Sequence, residues 1–359
     1  MTLSSERNSR AHRWARITYR WLAILVALVM IFSLTASGAQ AQSSDNTSTP
    51  AAADPLYWES QRVDAPPLYA YMTDRSLRMD ANDIPHIVFG GDHLYYATLV
   101  SGIWQMETVD ASDGVGMFAS LDLDTSGNPH IAYYDSFNGA LKYAWYNGST
   151  WTITTIDSAN LGTTGEVGID GEPSAPNRYV IGRDWWSFTP YTPEDYNPDV
   201  SPQEQLQGVG LYTSIDLDAT NDPHIAYYDS INGDLRYADI ILGSWQIKIV
   251  DGSGNTGQYA SLVVDSSGYP HISYYSVTNS SLEYAHYNGT KWATTTLDAD
   301  NVTGKYTSIA LGKNERPAIS YFDDSAGHLN YAAFDGSAWS TTTVDAETNV
   351  GEYTSLTMT

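Results

Sequence analysis

The sequence predicts an all-β protein, and three observations support this prediction. A pattern of strands and turns recurs along most of the chain, and its last three copies are spaced by 47 residues, at Trp245, Trp292 and Trp339. The repeated segments are rich in Tyr, Ile, Val, Thr and Trp, which favour strands. Beyond the N-terminus no stretch shows sustained helical periodicity. Four short strands per unit at this period are typical of a propeller blade, so we expect a β-propeller of four-stranded blades.

Each unit contains four predicted strands in a constant order. The first strand opens on an aromatic residue, the second on proline, the third on Leu-x-Tyr-Ala and the fourth on tryptophan, with turn residues between them. A shorter copy runs from Ser76 to Trp104. The four full copies open their strands at Phe118, Pro129, Leu141 and Trp151; Tyr212, Pro223, Leu235 and Trp245; Tyr259, Pro270, Leu282 and Trp292; and Tyr306, Pro317, Leu329 and Trp339.

The number of blades depends on two irregular regions. An excess of one full period separates Asp157 from Tyr212, so residues 165–211 are interpreted as a degenerate blade, with a plain inserted loop as the alternative. Its second half is too rich in proline for ordinary ladder strands. Residues 58–64 resemble a fourth strand and residues 353–358 a first strand, so the two termini can share one closing blade. We therefore expect six or seven blade positions, and favour seven.

The N-terminus has the features of an export signal. Five arginines precede an apolar run over residues 21–36, and Ala39-Gln40-Ala41 forms a small-x-small cleavage motif. We therefore predict a signal peptide over residues 1–41, a flexible linker over 42–54 and the propeller over 55–359. An uncleaved membrane anchor is the alternative, although the apolar run is short for a bilayer span. The expected product is secreted or held at the cell surface, with no membrane span in the mature chain.

Composition excludes several functions. The chain carries 42 acidic and 17 basic residues, a net charge of −25, and removal of residues 1–41 leaves −29. A nucleic-acid partner is not expected, because phosphate binding needs a basic face. The absence of cysteine excludes disulfides and thiolate metal sites, and no His/Glu metal motif, phosphate loop or dinucleotide motif is apparent.

Serine, histidine and aspartate recur together in each copy, as in Ser120, Asp124 and His130. A catalytic triad is a single constellation and is not repeated in every blade, so we predict a structural role in which these side chains satisfy one another inside a blade. The repeated tryptophans are interpreted as inter-blade packing, with sugar-stacking platforms as the alternative.

The Tyr-rich second strand, the Leu-x-Tyr-Ala motif and the segment Tyr146-Asn-Gly-Ser-Thr-Trp151 resemble secreted bacterial propellers of the fucose-lectin and sialidase-like type. Resemblance to the lectins implies sugar sites between blades, built from Arg, Glu or Gln, and Trp or Tyr. At the variable position after the third-strand leucine, Arg236 and Glu283 carry such groups. Resemblance to sialidases implies complete Asp-boxes and an arginine cluster, and neither is present.

Polar residues outside the repeat are further candidates for a ligand site. Arg183, Asp184, Trp185 and Trp186 form one run, which we interpret as a sugar subsite or lid, with a loop that covers the weak blade as the alternative. Asp122 and Asp216 occupy one position of the first strand. If first strands line a channel, these carboxylates are weak candidates for Ca²⁺, with solvated carboxylates as the alternative. No other cofactor is expected.

These patterns favour an extracellular recognition module that binds carbohydrate, and an enzyme is the less favoured class. One alternative is a glycan hydrolase or lyase with its site near residues 178–196. The other is a protein-binding or structural propeller with no small-molecule site. The expected partner is thus an extracellular glycan or a cell-surface protein.

Overall fold

A computed structural model describes Thr73, residues 75–159 and residues 206–358, which all belong to one compact unit of the chain, Asp64–Thr359. The predicted signal peptide, the linker, the strand at residues 58–64 and the run from Arg183 to Trp186 lie outside these residues. No helix in the described ranges is long and apolar enough to cross a lipid bilayer.

The described residues form five antiparallel sheets of four strands, and within each sheet the strands are paired in chain order. The prediction of an all-β protein with repeated four-stranded units is therefore confirmed. Sheets 1 and 2 contain β1 (Leu77–Met79), β2 (Pro85–Gly90), β3 (Leu94–Val100) and β4 (Ile103–Asp110), then β5 (Val115–Leu123), β6 (Pro129–Asp135), β7 (Ala140–Tyr146) and β8 (Trp151–Ser158).

Sheets 3, 4 and 5 repeat this arrangement, with a short 3₁₀ helix, Lys313–Glu315, between the first two strands of sheet 5. Their strands are β9 (Val209–Leu217), β10 (Pro223–Asp229), β11 (Asp234–Ile241) and β12 (Ser244–Asp251); β13 (Thr256–Val264), β14 (Pro270–Ser276), β15 (Ser281–Tyr287) and β16 (Trp292–Asp298); and β17 (Thr303–Leu311), β18 (Pro317–Asp323), β19 (His328–Phe334) and β20 (Trp339–Asp345).

A buried serine joins each first strand to the next one. The Ser120 hydroxyl of β5 accepts a hydrogen bond from the Ile215 amide of β9 at 3.0 Å, and Ser214 of β9 accepts one from the Leu262 amide of β13 at 2.9 Å. These serines are fully buried, so the bonds satisfy backbone donors that water cannot reach. The repeated serine therefore works between sheets. Its predicted place in a network inside one blade is wrong.

Residues 353–358 continue this series although they pair with no second strand in the part of the chain that the structure describes. Thr354 donates to the Tyr306 carbonyl at 2.8 Å, and the Leu356 amide donates to Ser308 Oγ at 3.0 Å, as a first strand of a following sheet would. The predicted first-strand character of this segment thus appears in its side-chain contacts.

Sheets 2 and 3 are direct neighbours. Besides the Ser120 bond, Thr213 donates to the Phe118 carbonyl, and the Tyr143 and Trp245 rings meet edge to face at 5.2 Å. The same ring contact joins the other consecutive sheets, as in Tyr237 with Trp292. These contacts leave no gap for a further sheet between sheets 2 and 3. The choice between a degenerate blade and an inserted loop concerns residues 165–211, most of which lie outside the described ranges, and it stays a prediction.

The fourth strand of each of sheets 1 to 4 also contacts the following sheet through an aspartate. This residue lies at or near the strand end and accepts a hydrogen bond from a buried second-strand tyrosine, at 2.6–2.8 Å in every case. The four pairs are Asp110 with Tyr133, Asp157 with Tyr227, Asp251 with Tyr274, and Asp298 with Tyr321. Together with the tryptophan contacts, these bonds place the aromatic residues mainly at sheet–sheet interfaces, as predicted for packing.

Candidate functional site

The repeated histidines form a buried structural network. His130 Nδ1 is hydrogen-bonded to the Tyr143 hydroxyl at 2.6 Å, and its Nε2 lies 4.0 Å from Asp124. Burial lowers the pKa of His130 and of His224, which makes the same contacts with Tyr237 and Asp218. The structural role predicted for His and Asp agrees with these contacts, and third-strand tyrosines replace the serines as partners.

Arg236 and Glu283, the two lectin-like candidates, occupy equivalent positions in sheets 3 and 4. Arg236 donates to Asp157 at 3.0 Å and forms an ion pair with Asp229 at 2.6 Å. Glu283 is buried and accepts hydrogen bonds from Ser281 and Thr296. Both side chains are engaged within the protein, and their role as ligand contacts stays a prediction.

Lys142 shows how the same position works in sheet 2. Its ammonium group pairs with the Asp110 carboxylate of sheet 1, which also accepts a hydrogen bond from Tyr133. Although burial opposes the shift, these two donors lower the pKa of Asp110 to about 2. At the variable third-strand position, Lys142 and Arg236 therefore each bind an aspartate of the preceding sheet.

Asp122 and Asp216, the weak calcium candidates, are paired with arginines. Arg78 Nε donates to Asp122 at 3.2 Å, and Arg75 Nη1 donates to Asp216 at 3.1 Å. The second oxygen of each carboxylate accepts a backbone amide of the following first strand, from Leu217 and Val264 respectively. Cation binding at this pair stays an untested prediction, and a cation would have to compete with two arginines.

Aromatic residues near the start of successive first strands form a continuous row, which we call the aromatic collar. Neighbouring rings are separated by 4.5–4.8 Å between centroids. Exposure increases along the row, from 3% at Phe118 to 63% at Tyr353. The collar consists of Phe118, Tyr212, Tyr259, Tyr306 and Tyr353.

The collar is held in an unfavourable backbone conformation. All five residues have φ between 52° and 56°, the left-handed region that bulky residues rarely adopt. Four sheets contain a collar residue, and in each of them the register between the first and second strands is irregular at that residue. Strained residues and bulges concentrate at functional sites, because the surrounding fold must hold them there against their own preference.

One half of the collar is polar. The residues that precede Phe118 and Tyr212 are apolar, whereas those before the next three rings are Gln258, Lys305 and Glu352. Lys305 forms an ion pair with Asp324 at 2.9 Å. Burial, with the neighbouring Tyr259 and Tyr353 hydroxyls, raises the pKa of Tyr306. Its phenol, like that of any protonated tyrosine, can donate a hydrogen bond. This sector combines apolar ring surface with donors and acceptors.

The sequence contains a signal for this site. The dipeptides Gln258-Tyr259, Lys305-Tyr306 and Glu352-Tyr353 recur at a spacing of 47 residues. The pattern alone predicts first strands and not a row of rings, because the left-handed backbone that brings the rings together has no simple sequence pattern in residues other than glycine.

The fold and the collar define an all-β, propeller-like protein with an aromatic site formed by its first strands. No protein-family model and no curated protein matches the chain. Among solved structures, it is similar to AofleA from Arthrobotrys oligospora, at 13% identity and a TM-score of 0.48, over 80% of this chain and 74% of that one.

Two further similarities concern proteins that act on or bind sugars. A mutant of Aleuria aurantia lectin in complex with Fucα1-6GlcNAc matches at 14% identity and a TM-score of 0.44, over 77% of this chain and 79% of that one. An ulvan lyase of a polysaccharide lyase family matches at 12% identity and a TM-score of 0.45, over 77% and 72%. The expected resemblance to lectin-type propellers is confirmed, but similarities this distant carry no conclusion about what this chain binds.

Proposed function

We propose that the protein is an extracellular carbohydrate-binding module and that the polar half of the aromatic collar is its ligand site. The observation that supports this proposal is the row of half-exposed and exposed rings Tyr259, Tyr306 and Tyr353, at centroid separations of 4.6 and 4.5 Å. Aromatic faces complement the C–H faces of sugars, and phenol hydroxyls bond sugar hydroxyls. Of the preceding polar residues, Lys305 and Glu352 supply further polar contacts, whereas Gln258 is buried.

The position of the collar also suits a polymeric ligand. Its rings come from sheets 3, 4 and 5 and the C-terminal segment, so one chain of sugars can contact several repeats at once. Several weak contacts on one rigid surface raise the total affinity through effective concentration. A collar ligand is therefore expected to bind more tightly as an oligosaccharide than as a monosaccharide.

Arg183, Asp184, Trp185 and Trp186 remain part of the proposal as a second group of ligand contacts. Leu206, which follows this segment in the chain, packs in one cluster with Phe118 and Tyr212.

A glycan array probed with the chain from Gln42 onward tests the proposal. We expect binding to defined glycans that weakens roughly two- to tenfold for Tyr306→Ala and again for Tyr353→Ala, the range that corresponds to one aromatic stacking contact. Tyr146→Ala is the matched control, because Tyr146 is another half-buried tyrosine and lies at the end of β7. Unchanged binding in both collar variants would place the ligand elsewhere, and Trp185→Ala and Trp186→Ala then test the second group.

Two other outcomes select the alternative functions. A hydrolase or lyase would be identified if no glycan on the array binds and the protein cleaves a polysaccharide. That cleavage should be lost in the Asp184→Asn or Glu194→Gln variant. Silence in both assays would leave a protein-binding module. Export is tested separately: N-terminal sequencing of protein from the culture medium should begin at Gln42.

A further inference from the structure

Three potential metal ligands meet at one end of sheet 4. Asp265 follows β13, His271 is the second residue of β14, and His286 lies near the end of β15. One ligand atom of each residue lies within 4.8 Å of those of the other two. His271 and His286 are direct partners in the β14–β15 register, and their rings stack with centroids 4.3 Å apart. Tyr259, the collar residue of this sheet, lies six residues before Asp265 on the same first strand, so this cluster is separate from the collar.

His271 leaves one ring nitrogen unsatisfied. The residue is only 6% exposed, and its Nε2 is buried without a hydrogen-bond partner. The nearest carboxylate oxygen, Asp265 Oδ2, is 3.6 Å away, which is longer than a hydrogen bond. A buried polar atom normally has a partner, so this nitrogen, directed at Asp265, is available to a ligand. His86 Nε2 of sheet 1 is also unpartnered, but Thr98 lies opposite His86, so sheet 1 lacks the second imidazole.

Neighbouring hydrogen bonds hold two of the three ligands in place. The Tyr284 hydroxyl is 2.5 Å from His271 Nδ1, and if it accepts the Nδ1 proton the lone pair of His271 lies on Nε2. Asp265 Oδ1 accepts the amides of Ser267 and Tyr269 at 2.9 and 2.8 Å. Its Oδ2 therefore remains directed at the histidine. Such outer contacts are what fix the ligands of metal sites.

The other sheets provide an internal comparison. Sheets 2 and 3 contain the same Asp–His pair, but the residue opposite the histidine is Trp145 in sheet 2 and Asp239 in sheet 3. Asp239 is paired with Lys248 at 2.7 Å. The repeat therefore does not require a histidine at position 286, and sheet 4 alone among the five described sheets has two imidazoles at this place.

We propose that Asp265, His271 and His286 bind a divalent transition-metal ion. Two imidazoles and one carboxylate suit Zn²⁺ and its neighbours in the first transition row, whereas Ca²⁺ requires six to eight oxygen ligands. Three protein ligands leave a coordination position for water or for a group of another molecule. Glu315 of sheet 5, whose Oε1 accepts the Ser266 amide at 2.7 Å, adds negative charge beside the site.

Titration of the untagged, chelator-treated full chain with Zn²⁺ tests this proposal by calorimetry, with Co²⁺ absorption as a second readout of coordination. We expect one ion per chain. Asp265→Asn and His286→Ala should each weaken Zn²⁺ binding by about 100-fold or more. Asp265→Asn keeps a side-chain oxygen that accepts the turn amides. In sheet 5 the position equivalent to His286 is Ala333, so His286→Ala introduces a residue that the fold already uses there. Tyr284→Phe should weaken it roughly 10- to 100-fold through the orientation of His271.

His224→Gln in sheet 3 is the matched control, because it removes the equivalent buried histidine from a sheet that lacks the second one. It should leave Zn²⁺ affinity unchanged even if it lowers the melting temperature as much as His271→Gln does. The absence of stoichiometric Zn²⁺ and Co²⁺ binding would overturn the proposal, and so would binding that persists at full affinity in His286→Ala.

Discussion

The guanidinium group of Arg75 lies 3.1 Å from the carboxylate of Asp216, although the residues are 141 positions apart and belong to sheets 1 and 3. Arg75 also reaches the Ile309 carbonyl of sheet 5 at 3.5 Å. One side chain thus contacts the first strands of two sheets that are not next to its own in chain order. The first strands of sheets 3 and 5 therefore both lie within reach of Arg75.

Loss of the Arg75 charge should destabilise the protein in a pH-dependent way. Burial raises the pKa of Asp216, and the Arg75 charge opposes this rise. In Arg75→Gln the carboxylate would be buried without its partner, and we expect a loss of about 3 kcal/mol in the free energy of unfolding at neutral pH. Because Asp216 then binds a proton more readily in the folded state, the loss should shrink as the pH falls through the carboxyl range.

Urea unfolding of Arg75→Gln and the intact chain at pH 7 and pH 5 measures this difference. The double variant Arg75→Gln/Asp216→Asn should recover most of the stability at pH 7, since it removes the uncompensated charge and keeps an acceptor for the Val264 amide. An equal loss at both pH values, with no rescue by Asp216→Asn, would argue against the ion pair as the cause.

Removal of residues 160–205 should leave the fold intact. The Ala159 and Val209 amides both donate to the Gly139 carbonyl, at 3.3 and 3.0 Å, so these two residues are close enough for a short Gly-Ser linker to join the flanking chain. A shorter connection also costs less closure entropy. We expect one cooperative thermal transition, within roughly 5 °C of that of the intact chain.

The control for this deletion is Trp245→Ala, which opens the contact between sheets 2 and 3 at Tyr143. It should lower the free energy of unfolding by roughly 2–3 kcal/mol. If the deletion instead abolishes cooperative unfolding, residues 160–205 contribute a structural unit, as the degenerate-blade interpretation holds.

The serine between first strands should contribute measurably to stability. In Ser214→Ala the Leu262 amide loses its acceptor in a fully buried position, and we expect a loss of about 1–3 kcal/mol in the free energy of unfolding. Ser253→Ala, in an exposed turn, should change it by less than about 0.5 kcal/mol. Chemical denaturation compares the two, and equal effects would remove the special role of the buried serine.

Stability should decrease in mildly acidic solution because of the buried histidines. The ordinary pKa of histidine is 6.5, and burial lowers the pKa of His86, His130 and His224. Burial together with the neighbouring His286 lowers the pKa of His271 to about 4. Below pH 6.5 the unfolded chain binds protons that the folded chain excludes, so the free energy of unfolding falls as the pH drops toward the folded-state values. Each such histidine contributes up to about 1.4 kcal/mol per pH unit.

Chelator-treated His224→Gln should show a shallower decrease between pH 6.5 and pH 5 than the intact chain. Thr294→Ala, an exposed position of β16 that carries no titratable group, is the control and should keep the original slope. Parallel curves for the intact chain and His224→Gln would show that this histidine does not titrate on unfolding.

Much of the fold could be predicted because each repeat contains the local sequence pattern of its own strands and turns. The alternation of β-branched and aromatic residues with Asp, Asn, Gly and Pro turns is a local property, and it placed the strands from Phe118 to Trp339 within a few residues of their observed bounds. The prediction that the repeated serine bonds inside one blade is wrong, because its hydroxyl accepts an amide of the next sheet. A linear pattern does not say which neighbour a buried hydroxyl will contact.

The sequence by itself determined the class of fold, the four-stranded unit, its 47-residue period and the prevalence of interface aromatics, because these depend on short-range propensity and repetition. Only the tertiary structure decided that Arg75 pairs with Asp216, that five aromatic residues meet as a collar on left-handed backbone, and that Asp265, His271 and His286 converge. These relationships depend on distances between strands that are remote in the chain, and on strain that only the packed sheets can sustain.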